Sequence, residues 1–432
     1  MNQKTDKNIQ IPSITGNQNV WLKVGTVLNG YNTNPLTDAH IVYDSDSILY
    51  VGTTSPPQNI LHPTKNKPDI ELPDFTLLPG LIEAHAHLFL DGKELDQEKR
   101  KIHLQKSNKQ LFNEALRRAE KLIKIGIIGV RDAGDKNEVG LSLSKLHKSK
   151  KSLIPFIESP GAAINKKGQY GKFISIPLED YNSSKECVAS RVHEGAERIK
   201  LIATSIINLE EGRVTKEPQM TESEIKDLVR VTKSFGLQTF VHASGNEGIE
   251  NVIEGNVGSV EHGFFIKEDQ LAKMRDRQIA WVPTFAPIQK QILYAEQLGL
   301  NKKIISTLKR ILDQHSNNLV KAYAIGTPIV AGSDAGSLGV EHGLGFLDEL
   351  ELMENAGLSP LAVINSATGN SSNYLRFKEE FGQIKTGNKS RFILIKYSPL
   401  ESVANLKKEK YIVFDGAVYK SDGENEIKDL IN

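Results

Sequence analysis

The chain has 432 residues, 39% of them hydrophobic and 25% charged, which is long enough for one barrel-sized core with a smaller companion. Lys and Arg number 54 against 53 Asp and Glu, and the formal net charge of +1 creates no global field toward nucleic acid or an anionic membrane, so neither partner is expected. A single cysteine, Cys187, excludes a disulfide framework or a cysteine-rich metal site, and no apolar run nears the roughly 20 residues of a membrane span; the expectation is a cytoplasmic protein, with homo-oligomerisation left open, that acts on a small molecule.

The first dozen or so residues are polar and read as a flexible tail, without the apolar core of a secretory signal. Short β-like runs follow at residues 20–27, 40–51 and 69–72, separated by turn residues. From about residue 76, apolar β-branched runs alternate with helix-period stretches such as 111–125, 221–234 and 346–355. Eight strand candidates end near His87, Asp132, Glu158, Thr204, His242, His262, Thr284 and Asp334. This is an α/β pattern, and eight strands predict a (β/α)8 TIM barrel over residues 76–375. An open doubly wound sheet is the alternative, but no glycine-rich phosphate fingerprint follows the first strand. Residues 382–396 and 411–420 return to strand pairs around turns such as Asp415-Gly416. Residues 1–75 and 376–432 are therefore expected to pair into a small β-sandwich domain built from both chain termini.

The sharpest local pattern is Leu78-Pro79-Gly80-Leu81-Ile82-Glu83-Ala84-His85-Ala86-His87. Residues two apart on a strand share a face, so His85 and His87 aim at one point, and neutral imidazole is a favoured ligand for transition metals. His242, His262 and Asp334 each end a further apolar run. In a parallel barrel all strand C-termini open on one face, where active sites are built, so the five converge from distant parts of the chain. Lys200 lies in Ile199-Lys200-Leu201-Ile202, where a charged amine is costly. Either it is buried with a lowered pKa and can take up carbon dioxide as a metal-bridging carbamate, or it faces outward with its ammonium in water. Tyr170, Lys167 and His342 fall in loops on the mouth side and are weaker substrate-binding candidates, and Arg131 beside Asp132 reads as a structural ion pair.

With these stretches, and with Gly129-Val130-Arg131-Asp132-Ala133-Gly134, Val260-Glu261-His262-Gly263 and Val282-Pro283-Thr284, the chain resembles the metal-dependent amidohydrolase superfamily, closest to its prolidase-like and imidazolonepropionase-related branch. The resemblance implies two divalent metal ions, with zinc the first expectation. His85, His87 and Asp334 would hold one, His242 and His262 the other, and a carboxylated Lys200 and a hydroxide would bridge them. It implies hydrolysis of an amide C–N bond in a dipeptide, N-acyl amino acid or cyclic amide, with Asp334 as proton shuttle. Residues 161–172 and Ser244 depart from the pattern, so substrate identity does not carry over. One alternative is a mononuclear deaminase of an amino-heterocycle, against which Gly245 stands where those relatives place a glutamate. The other is a non-catalytic barrel scaffold, whose expected mark is a lost ligand.

Overall fold

The computed structural model describes residues 11–14, 18–31, 34–149 and 152–423; residues 1–10, most of the expected tail, lie outside them. Alternating apolar positions make the first strands: β1 (Val20–Val27), β2 (Leu36–Tyr43), β3 (Ile48–Gly52) and β4 (Ile70–Pro79). The run expected at residues 40–51 is a hairpin, because the Asp44 carboxylate accepts from the backbone N–H groups of Asp46 and Ser47 and turns the chain. The register of β1 on β4 shifts between Val24 and Thr26, and only glycine fits there: a Cβ on Gly25 would lie 1.9 Å from the Pro73 carbonyl oxygen.

Nine short strands follow: β5 (Leu81–Ala86), β6 (Ile127–Asp132), β7 (Phe156–Glu158), β8 (Ala163–Asn165), β9 (Ser175–Pro177), β10 (Ile199–Ile202), β11 (Thr239–Ala243), β12 (Ser259–His262) and β13 (Ala280–Val282). All pair in parallel, in two sheets of order β5-β6-β7 and β13-β12-β11-β10-β8-β9. Helices alternate with most of them. Asn108–Ile125 begins in a Ser107–Gln110 capping box and Glu222–Ser234 in a Thr221–Glu224 one, as the S/T-x-x-E/Q spacing dictates. The strands β8 and β9 were not expected: residues 161–172 read as loop, yet Ile164 pairs with Leu201 of β10.

The eighth expected strand is a connection made of single bridges. Trp281 donates to Pro328 O and Val330 to Trp281 O on one side; on the other, Ala84 donates to Ala331 O, Asp334 to His85 O and His87 to Ala335 O. Residues 328–335 thus tie the β13 edge of one sheet to the β5 edge of the other. Gly332 permits this approach, since a Cβ there would lie 2.9 Å from His85 N. Between the end of β7 and the start of β10, Glu197 N donates to Ser159 O, and Arg198 pairs with Glu158 at 2.5 Å.

The last strands among the described residues are β14 (Arg391–Ile395), β15 (Lys410–Phe414) and β16 (Ala417–Ser421), the last two joined at Asp415-Gly416. They add to the N-terminal strands in one seven-stranded sheet of order β16-β15-β14-β4-β1-β2-β3. Three strand spacings separate β14 from β2, about 14 Å in a flat sheet. Tyr43 and Phe392 nevertheless meet edge to face at 5.0 Å, and Ile48 N donates to Asn388 O. The sheet is therefore curled, enclosing Leu22, Val24, Ile41, Leu77, Phe392 and Leu394. Its other face gives Ile393, Ile395 and Ile412 to the main α/β core.

Candidate metal centre

Parallel pairing sets β10, β11 and β12 side by side, and their Lys200, His242 and His262 face one cavity together with His85 and His87 from the end of β5. His85 on β5 and His87 just past its end alternate with Ala84 and Ala86, all four buried. His85 Nε2 lies 3.5 Å and His87 Nε2 3.6 Å from Asp334 Oδ1. Ligand atoms of these three residues all fall within 4.8 Å of one another, a spacing that suits one cation. The rings of His242 and His262 are 4.6 Å apart, and His262 is 5.1 Å from His85. His262, Thr284 and Asp334 all have left-handed backbone, with φ of 65°, 52° and 57°, an unusual cost for residues with a Cβ at three neighbouring strand ends.

Outer partners fix the rings. The Glu261 carboxylate lies 2.6 Å from His85 Nδ1 and the Gly134 carbonyl 3.1 Å from His87 Nδ1, so each ring carries its proton there and turns the Nε2 lone pair inward. Thr284 Oγ1 lies 2.7 Å from His262 Nδ1. Glu261 is itself held by Arg131, whose Nη2 donates to both carboxylate oxygens at 2.8 and 2.9 Å. Arg131 was expected to pair with Asp132; instead Asp132 accepts from Leu88 N, Gly134 N and Ser159 Oγ, and Arg131 reaches across to β12. Sequence reasoning assigned Glu261 no role. The clue available was a carboxylate inside an otherwise apolar strand.

Burial pushes His85 and His262 well below the usual imidazole range, and His87 and His242 to about 3, so all four rings are neutral. Burial also lowers Lys200 to about 8 and raises Asp334 to about 7. Lys200 points inward, not to solvent: it is 2% exposed, with its Nζ 4.6 Å from the Phe240 ring centroid. Lys200 Nζ and His242 Nε2 are both buried without a hydrogen-bond partner among the described residues. Unsatisfied buried polar atoms cost free energy, and a cation with an anionic bridging ligand would satisfy both, so the residues present fit such a group.

Above the centre opens a cavity of about 480 Å³, lined by His85, His87, Lys200, His242, His262 and Asp334 at its floor. Tyr170 lines it too, with its ring 5.5 Å from that of His242 and its hydroxyl without a protein partner among the described residues. Lys167 is not brought to the site; it is exposed and pairs with Asp180 at 3.1 Å. Neither does His342 face the cavity. It is buried with Nε2 3.0 Å from the His87 carbonyl, where it braces the end of β5.

The sequence profile of the amidohydrolase family matches residues 76–418, most of the chain and all of this centre. The chain belongs to the amidohydrolase family. It is accordingly a hydrolytic enzyme acting on carbon–nitrogen bonds, in a family that is generally metal-dependent. Among relatives, the ochratoxinase of Aspergillus niger is 22% identical over 421 residues, covering 90% of this chain and 84% of that protein. An uncharacterised Mycobacterium tuberculosis protein is 23% identical over 300 residues, 69% of this chain and 74% of its own. A crystal structure of a Xaa-Pro dipeptidase with bound methionine superposes with a TM-score of 0.78 at 24% identity, over 94% of this chain and all of that one. These neighbours share the mixed α/β architecture with parallel sheets. No helix among the described residues is long and apolar enough to cross a membrane.

Proposed function

We propose that this amidohydrolase cleaves an amide C–N bond at a binuclear centre at the mouth of a (β/α)8 barrel, which residues 328–335 complete as its eighth stave. The curled terminal sheet is the accompanying β-sandwich domain, with boundaries near residues 75 and 375. Prolidase-like and ochratoxinase neighbours support an amide substrate such as a dipeptide, N-acyl amino acid or cyclic amide.

The observation that carries the reading is the buried, partnerless amine of Lys200 beneath four neutral histidines and Asp334. An un-ionised lysine amine adds to carbon dioxide: the N–C bond forms, an oxygen takes the electron pair, and the amine proton leaves to solvent. The resulting carbamate offers two oxygens. His85, His87 and Asp334 would hold one divalent ion, zinc being the expected one, and His242 with His262 the other. When bound, such ions polarise a carbonyl and lower the pKa of water from about 15.7 toward 7. Asp334, kept in place by Ser337 Oγ at 2.8 Å, accepts the proton of the attacking water and returns it to the leaving nitrogen. Glu261 and Arg131 hold His85 in the tautomer that binds metal. The Tyr170 hydroxyl is free to donate to the reacting carbonyl.

A one-ion reading, as in a deaminase, has in its favour that His85, His87 and Asp334 already form a compact three-ligand group. Elemental analysis separates the readings. Protein purified without chelator should carry about two ions per chain and Lys200→Ala markedly fewer, with added short carboxylic acids partly restoring activity by filling the vacant bridge. One ion per chain, unchanged by Lys200→Ala, points to the deaminase arrangement. None, with no uptake on zinc addition, points to a scaffold.

A further inference from the structure

The cavity lining is of two unlike kinds. One is aliphatic and aromatic, with Ile206, Leu209, Phe264, Ile288 and Leu338; Ile206 is 54% exposed at the rim, an unusual position for a side chain of that kind. The other carries Arg100. Its Nη1 donates to the carbonyls of Asp91 and Glu94, at 3.2 Å for the latter, and its Nη2 to Gly336 O at 2.9 Å, two residues beyond Asp334. A guanidinium has five N–H donors. Three are taken by backbone carbonyls, which leaves Nε–H and one Nη2–H without a partner among the described residues. No carboxylate pairs with Arg100 within 4.0 Å among them either; Asp91 contributes its carbonyl and gives a carboxylate oxygen to Lys93 N. Arg100 is thus held in the cavity lining by backbone carbonyls, with the carboxylates of Asp91, Glu94 and Asp334 acting on its charge only from beyond 4.0 Å and two donors left, the fork that carboxylates accept in bidentate fashion.

We propose that Arg100 anchors a carboxylate on the leaving-amine side of the substrate, and that the substrate is an amide of an α-amino acid with bulky apolar groups packed on the apolar part of the lining. This rests on the amide-hydrolase reading above. A cavity of about 480 Å³ lies within the roughly 300–1,000 Å³ of small-molecule sites, and is far larger than a glycine amide needs. Gly336, which accepts from Arg100, belongs to the same turn as Asp334. The anchor and the proton carrier are therefore set in register, and a carboxylate at Arg100 brings its own amide nitrogen toward Asp334. Arg100 touches no reacting atom; it determines specificity.

The test compares N-hexanoyl-L-phenylalanine, its C-terminal carboxamide and N-acetylglycine on the metal-loaded full chain, wild type against Arg100→Met and Arg100→Lys. Wild type should prefer the phenylalanine acid to both others in kcat/KM. In Arg100→Met the preference for acid over carboxamide should collapse by about tenfold to a hundredfold, through KM, as expected for loss of a charge-assisted hydrogen-bond pair. Arg100→Lys should keep part of it. Equal losses on acid and carboxamide, or no acid preference in wild type, would overturn the anchor and mark Arg100 as a loop brace. Calorimetric binding of the acid keeps the two readings separable. Arg100-dependent binding without hydrolysis leaves the anchor standing and removes the amide-hydrolase reading; hydrolysis with binding indifferent to Arg100 does the reverse.

Discussion

Asp334 has one oxygen facing His85 and His87 and the other accepting from Ser337, while burial lifts it to about 7. A carboxyl so placed can take up a proton and pass it on. Asp334→Asn keeps the shape and removes that capacity, so kcat should fall about a hundredfold or more, the scale of general acid–base catalysis, with a smaller change in KM. Steady-state kinetics on any amide the enzyme turns over checks this; a variant at full rate would remove Asp334 from the proton path. His87, His242, His262 and Asp334 were legible in the sequence because each ends an apolar run, and parallel strands gather their ends by topology alone. Glu261 and Arg131 were not. Their partners lie 176 and 130 residues away along the chain, and a charged residue inside a strand does not say which distant group will balance it.

At the level of elements, legibility followed length and local chemistry. The helix Glu222–Ser234 starts where Thr221 and Glu224 place a capping box, and β12 ends at His262 as expected, whereas β8 and β9, three residues each, are too short for a period-2 pattern to show. Residues 328–335 read as a strand because their composition is that of one; Gly332 and the left-handed Asp334 reduce them to bridges. One junction between elements is electrostatic. Glu379, ahead of β14, lies 2.8 Å from Arg391 Nη1 and 3.9 Å from His147 Nε2, and Arg391 also pairs with Asp415 at 2.7 Å. Burial alone would raise the Glu379 carboxyl, but the His147 contact and the Arg391 charge outweigh it and hold it at about 2, below the usual 4.5. A lowered folded-state pKa stabilises above the unfolded value and is lost as pH falls through the folded one. Chelated protein should therefore lose stability between about pH 4.5 and 2, and Glu379→Gln should flatten that slope while lowering stability above it. Urea midpoints across this range decide the matter: an unaltered slope in the variant would show that Glu379 does not carry it.

On the scale of the whole molecule, the terminal sheet and the α/β body are not independent. Strand β4 passes into β5 through Gly80 alone, whose N–H donates to Arg391 O at 3.1 Å. Outward-facing side chains of the C-terminal segment, Ile393, Ile395, Val403, Leu406, Ile412 and Phe414, belong to the same buried cluster as Leu81, Leu122 and Ile125. A Cβ on Gly126, which caps the helix Asn108–Ile125, would lie 2.6 Å from Ile393 Cδ1. Each of those six side chains contributes about 1.5–3 kcal/mol on burial, together about 9–18 kcal/mol, which matches or exceeds the net stability of about 5–15 kcal/mol typical of a folded domain. Removing residues 376–432 should therefore unfold the α/β body as well as strip β4 of a neighbour. The metal-free full chain should lose both parts in one calorimetric transition, and the 1–375 fragment should show no cooperative melt and bind no stoichiometric metal. Two resolved transitions, or a fragment that melts sharply and takes up metal at the full-length ratio, would mean that the cluster spanning the two parts is packing without energetic coupling.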